Sequence, residues 1–296
     1  MKILITGSNG LLGQHLVNLL LKTTDHEIIA TSKSDPHNIV QNSRIHYYLL
    51  DITDGMEVNL LINKFQPDSI IHCAALTQID ECEQNPIKAW EINVTATRFL
   101  LDAAKAVNAF FIFLSTDFVF DGINGPYKEE DTVNPVSYYG STKVAAEKAV
   151  IESGLQYAII RTCLLYGNIL FGNRSNIITW VKENLENSQK IKVVSDQMRT
   201  PTYVEDLANG IALVVEKKAV GLFHISGKDF LSPYEMAINT AAYLKLDAAF
   251  IQKVDASVFT QTAKRPVITG FVINKAENVL GYKPLSFIEG LKMMLS

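Results

Sequence analysis

Two periods of apolar residues alternate along the first 165 positions. Ile3, Leu4 and Ile5 form a short run of strand length. Behind it, Leu11, Leu12, Leu16, Val17, Leu19 and Leu20 recur at helical spacing. Further strand-like runs lie at 27–31, 45–50, 69–73, 110–114 and 156–162. Helical patterns lie between them, through Val58, Leu60, Leu61 and Phe65, then at 89–107 and 137–152. Runs without polar alternation fit strands buried on both faces, so the pattern predicts an α/β fold with a parallel sheet between helices. Past residue 165 the texture changes. The Asn- and Gly-rich residues 168–176 read as a loop. Capping boxes are predicted at Thr202…Glu205, Ser232…Glu235 with Pro233 at the first helical position, and Ser286…Glu289. They announce helices at 204–217, 234–244 and 287–295, with short strands at 192–194 and 222–225. The expected organisation is a core over 1–165 and a smaller lobe over 166–296, with segments of the lobe interleaved into the core.

The first strand runs straight into Gly7-Ser8-Asn9-Gly10-Leu11-Leu12-Gly13 and then a helix. Strand, glycine turn and helix in that order form the setting of a dinucleotide cradle. Gly7 permits the turn, Gly10 lets the backbone approach a pyrophosphate, and Gly13 lets helix and sheet pack closely. The core is therefore read as a Rossmann-type doubly wound sheet, and the lobe as substrate-binding. Ligands of such sheets sit beyond the carboxyl ends of the strands. Gly7, Asp51, Ala74, Ala75, Thr116 and Thr162 all fall at such ends. The second strand ends Ala30-Thr31-Ser32-Lys33. It lacks the carboxylate that binds a ribose 2′-hydroxyl in NAD sites, and Lys33 can pair with a 2′-phosphate or stay a solvated loop lysine. NADPH is expected in preference to NADH.

Composition narrows the partners. A net charge of −4 over 296 residues argues against a nucleic-acid surface. The apolar runs are too short to span a membrane. The chain opens on a core strand, which leaves no room for a signal peptide. Cys73, Cys82 and Cys163 have no metal spacing, and an odd count fits a reducing cytoplasm. Cys73, Cys163, His72 and His224 lie in strand patterns and are expected in the core. No metal site is expected. The apolar helix at 89–107 can pack within a subunit or across a homodimer.

The candidate chemistry centres on Tyr139-Gly140-Ser141-Thr142-Lys143. Four residues apart on a helix, Tyr139 and Lys143 share a face, as an ordinary amphipathic pair also would. A phenol has a reference pKa near 10, and a cation beside it lowers that value. Tyr139 would then give a proton to a substrate oxygen, Thr116 would hydrogen-bond the same oxygen, and Lys143 would hold both phenol and ribose.

These motifs, together with Ser115-Thr116-Asp117-Phe118-Val119-Phe120-Asp121-Gly122, Asn134-Pro135, Arg161-Thr162, Thr200-Pro201-Thr202 and Arg265-Pro266, run almost the length of the chain. In them the chain resembles the extended short-chain dehydrogenases/reductases, most closely the dTDP-4-dehydrorhamnose reductases. The resemblance implies NAD(P)H-dependent reduction of a 4-keto group on a nucleotide-activated deoxysugar, with Thr116, Tyr139 and Lys143 catalytic. The expected cofactor set is Gly7, Asn9, Gly10, Leu11, Gly13, Ser32, Lys33, Asp51, Ile52, Ala74, Ala75, Thr77, Tyr139, Lys143 and Thr162. The expected substrate set is Thr116, Asp117, Phe118, Leu164 and Arg265. Phe118 replaces an aromatic hydroxyl usual in the family, and Leu164 replaces a tryptophan. Both are expected to line the sugar pocket, with the core as the alternative place for them. The metal that some members bind through carboxylates between subunits is not carried over.

Three rival readings remain. A sugar-nucleotide dehydratase usually has Glu where Phe118 stands. A 4-epimerase usually has an acidic residue after the second strand. The regulatory beta subunit of methionine adenosyltransferase resembles the same family and keeps similar motifs.

Overall fold

A computed structural model describes residues 1–35, 40, 42–172 and 175–295 of the chain. Residues 173 and 174 of the expected loop lie outside the described residues. Strands β1 (Lys2–Thr6), β2 (Glu27–Ser32), β3 (Ile45–Leu49), β4 (Ser69–His72), β5 (Phe110–Thr116) and β6 (Tyr157–Thr162) belong to one sheet. Helices α1 (Leu11–Thr23), α2 (Gly55–Phe65), α3 (Ile79–Gln84), α4 (Pro86–Trp90), α5 (Ala96–Ala106) and α6 (Tyr138–Glu152) lie between them. The later elements are β7 (Leu165–Tyr166), α7 (Ile177–Glu186), β8 (Ile191–Val194), β9 (Thr202–Tyr203), α8 (Val204–Lys217), β10 (Gly221–His224), α9 (Pro233–Leu244), β11 (Ile251–Val254) and α10 (Phe287–Leu295).

The main sheet has seven strands in the order β10-β6-β5-β4-β1-β2-β3, and each neighbouring pair is parallel. Alternate residues of each strand face opposite layers, as the pleat requires. Ile3 and Ile5 of β1 pack with Leu16 and Leu20 of α1 and Leu207 and Ile211 of α8. Leu4, between them, packs in the other layer with Val58 and Ile62 of α2 and Leu100 of α5. The fold is the doubly wound α/β sheet expected. β10 comes from the second half of the chain and closes the sheet beside β6. Small parallel pairs β8–β11 and β7–β9 lie outside the main sheet. Among the described residues no helix is long and apolar enough to cross a membrane.

Several expectations are corrected. The helix expected at 89–107 starts earlier, at Pro86, and a π-helical turn over Glu91–Thr95 separates α4 from α5. Asn93 in that turn is buried and exchanges two hydrogen bonds with the Leu76 backbone, at 2.8 and 3.0 Å. An inserted residue of this kind redirects a side chain, and such turns are frequent at functional sites. The box at Thr202…Glu205 does not form: Tyr203 caps α8, and the Thr202 hydroxyl donates to the Cys163 carbonyl at 2.7 Å. The boxes at Ser232 and Ser286 do form, with reciprocal bonds to Glu235 and Glu289. α3, α7 and β11 were absent from the pattern. α3 has only six residues, too few to show a period. His72, His224 and Cys163 are core residues, but Cys73 is only half-buried and lines the site described next.

Candidate active site

The carboxyl ends of β1, β2, β3 and β4 form the walls of an open groove of about 400 Å³. Gly7 turns the chain at φ +70°, a conformation most side chains avoid. A Cβ on Gly7 would lie 2.8 Å from the Ala74 nitrogen, and one on Gly13 only 2.4 Å from the Gly7 oxygen. Only bare backbone fits at these two points, which is what a close-approach cradle needs. Asn9, Ser32, Lys33, Asp51, Ile52, Ala74, Ala75 and Thr77 line the same groove. Lys33 pairs with Asp51 at 2.6 Å, with its side chain 77% exposed. The Asp51 carboxyl is held below its ordinary range, first by that hydrogen bond from Lys33.

A second cavity of about 760 Å³ adjoins the groove and shares Gly7, Gly10, Ala75, Thr77 and Ile169 with it. Leu11, Gly13, Thr116, Asp117, Phe118, Tyr139, Lys143, Thr162 and Leu164 line this second space. Every residue expected at the cofactor thus lies along one continuous trough. The bare turn and the polar strand ends along the trough fit an extended dinucleotide.

β5 delivers Thr116 and α6 delivers Tyr139 and Lys143. Ser137 caps α6 by accepting from the Gly140 N–H at 3.2 Å, which fixes the phase of the helix. Tyr139, Lys143 and Glu147 then fall on its buried face. Burial pushes the Tyr139 phenol above its ordinary pKa, and the nearby Thr116 hydroxyl opposes this. Lys143 donates to the Leu114 carbonyl at 2.6 Å and lies 4.0 Å from the centre of the Phe113 ring. Burial lowers its pKa to about 8, with Glu147 opposing. The expected depression of the Tyr139 pKa by Lys143 is therefore corrected. One ammonium N–H is directed to the Leu114 carbonyl, and desolvation governs the phenol.

Buried charge forms the floor of the second cavity. Thr116 donates to Asp117 at 3.1 Å, Thr269 donates to the other Asp117 oxygen, and Arg199 lies 3.7 Å from it. Arg199 also donates to the carbonyls of Met198, Val267 and Pro266. Behind Thr116, Glu147 accepts from Arg161 at 2.7 and 3.0 Å and from Ser115. Phe118 meets the Tyr139 ring edge-on, with centroids 5.8 Å apart. Leu164 is 38% exposed at φ +34°, a left-handed backbone that a residue other than glycine seldom holds. Arg265 is set apart from the other expected substrate residues. It pairs with Asp80 of α3 at 2.7 Å and lines neither cavity.

The RmlD substrate binding domain family matches residues 1–296. The chain belongs to that family. A crystal structure of a dTDP-4-dehydrorhamnose reductase from Clostridium acetobutylicum superposes with a TM-score of 0.89 and 34% identity, over 100% of this chain and 98% of that one. The dTDP-4-dehydrorhamnose reductase of Bacillus anthracis in complex with NADP gives 0.86 and 30%, over 99% and 98%. Methionine adenosyltransferase 2 subunit beta of Mus musculus is 31% identical over 299 residues, 99% of this chain and 87% of that protein.

For this RmlD-family chain, four residues that line or brace the site were invisible to motif reading: Arg199 in the cavity wall, and Gln14, Asn93 and Thr269 behind it. Asn93 also donates to Thr142 of α6 at 3.0 Å, so it braces the helix that carries Tyr139. Its signal was a polar residue four positions from both Ala89 and Thr97, inside an apolar stripe.

Proposed function

We propose that this chain reduces the 4-keto group of a nucleotide-activated deoxysugar with NADPH, dTDP-4-dehydrorhamnose to dTDP-rhamnose being the reaction best supported. Residues 1–165 hold the cofactor, and 166–296 mainly the sugar nucleotide. Gly7, Asn9, Gly10 and Gly13 receive the pyrophosphate, and Lys33 the 2′-phosphate. The bound cofactor supplies the hydride. Tyr139 gives its proton to the sugar oxygen, and the Thr116 hydroxyl steadies that oxygen. A raised phenol pKa keeps the proton on Tyr139 through neutral pH. Lys143 remains cationic at pH 7 and would hold the ribose of the cofactor.

The observation that carries this reading is that Thr116, Tyr139 and Lys143 line one cavity, which is continuous with the dinucleotide groove. Phe118, where a dehydratase would need a carboxylate, supports a reductase over a dehydratase. A screen of dTDP-, UDP-, GDP- and CDP-4-keto-deoxysugars for NADPH oxidation tests it. Steady turnover by the isolated chain, fastest with the dTDP sugar, is the expected result. Identity to methionine adenosyltransferase 2 subunit beta favours a second reading, a dinucleotide-binding regulatory subunit. That reading expects NADPH binding without turnover on any of these sugars.

A further inference from the structure

Residues 167–172 leave β7 and cross the trough where groove and cavity join. Gly167 and Ile169 line the cavity, while Ile169, Phe171 and Gly172 line the groove. This strap is tied to α1 through a buried amide and a histidine. Gln14 Oε1 accepts from the N–H groups of Leu170 and Phe171, both at 3.0 Å. Its Nε2 donates to the Phe171 carbonyl at 2.9 Å and to the Asn9 carbonyl at 2.8 Å. Asn9 in turn donates to the Ser34 and Asp35 carbonyls, at 3.1 and 2.9 Å. Next along the helix, His15 bonds the Asn168 carbonyl at 2.7 Å. Gln14 therefore connects the strap to the glycine turn, and Asn9 carries that connection on to the loop after β2; all four hydrogen-bonding positions of the Gln14 amide are used.

We infer that Gln14 is a positioning residue that latches the strap over the bound dinucleotide and sets how fast the cofactor leaves. The inference rests on the NADPH reading above. Gln14 sits outside both cavity linings, so it acts through Ile169, Phe171 and Gly172 rather than by touching the cofactor. Removing its amide leaves two strap N–H groups and two carbonyls without partners. Open forms of the strap then gain population, and these are the forms through which ligand escapes.

The test is NADPH dissociation followed by stopped-flow fluorescence, with amide exchange of the 167–172 peptide measured in the absence of cofactor. Gln14→Leu should speed dissociation about tenfold, equivalent to about 1.4 kcal/mol, and should raise exchange at Leu170 and Phe171. Single-turnover reduction at saturating NADPH should stay within about twofold, since Tyr139 and Thr116 are untouched. Gln14→Glu keeps both acceptor positions and loses both donors, so its dissociation rate should fall between those of wild type and Gln14→Leu. It decides the matter if Gln14→Leu does not fold. Dissociation at the wild-type rate in the folded variants, or unchanged exchange in the strap, overturns the latch. Wild type that binds NADPH while Gln14→Leu binds equally well brings down this inference alone. Wild type that binds neither NADPH nor NADH brings down the cofactor reading and the latch together.

Discussion

The two ends of the trough handle charge in opposite ways. At the groove end the ionic partners face water: Lys33 is 77% and Asp51 33% exposed. At the cavity end Asp117, Lys143, Glu147, Arg161 and Arg199 are all 5% exposed or less. Exposed pairs are screened and cheap to alter, whereas a buried charge that loses its partner keeps its desolvation penalty. The exposed pair in the groove can therefore vary without endangering the fold. The cavity floor couples catalysis to stability, because the same buried groups hold β5, β6 and α6 together.

Breaking the buried pair should have the largest effect. Glu147→Ala strands the Arg161 guanidinium and should cost about 3–5 kcal/mol of unfolding free energy. Asp51→Ala at the exposed pair should cost less than about 1 kcal/mol. Denaturant midpoints measured side by side check the contrast, and equal losses would erase it. Lys143 sharpens the comparison through pH. With its pKa lowered to about 8, it loses charge as pH rises through 8, so kcat/KM should fall on an alkaline limb there. Lys143→Arg should move that limb upward, because guanidinium stays protonated. The sign for stability is opposite. Between pH 8 and the ordinary value of 10.5 the unfolded chain holds the extra proton, so this group adds stability as pH rises through that window.

Smaller effects are expected from the cavity wall and the groove mouth. Phe118→Tyr with Leu164→Trp should change relative specificity constants among 4-keto-sugar nucleotides by about tenfold while leaving NADPH affinity alone. Uniform destabilisation without a change in ranking would show that these residues only pack. Lys33→Ala should weaken NADPH by about threefold to tenfold, with NADH unaffected, because water and Asp51 already compete for the ammonium. Equal losses for both cofactors by titration would remove Lys33 from 2′-phosphate recognition.

The groove end was legible in the sequence because local rules build it. Gly7, Asp51 and Ala74 each end a strand whose apolar run announces it, and the parallel sheet gathers those ends on one rim. The cavity floor was only half legible. Thr116, Tyr139 and Lys143 stand in short motifs, but Arg199 and Thr269 come from separate loops, and their meeting at Asp117 is a long-range contact with no local period. The strap was read as an Asn- and Gly-rich loop, yet its attachment to Gln14 spans about half the chain. The charge state of the pair is not legible in the sequence for a related reason. Spacing on a helix puts Tyr139 and Lys143 on one face but says nothing of the Leu114 carbonyl that takes the ammonium.

The most direct measurement is NADPH oxidation with dTDP-4-dehydrorhamnose by the purified wild-type chain and by Tyr139→Phe. Wild type should turn over steadily. The variant should bind NADPH normally and lose about 10²–10⁴ in rate, the loss typical when a general acid is removed. Equal rates, or no turnover by wild type with NADPH bound, would contradict the account.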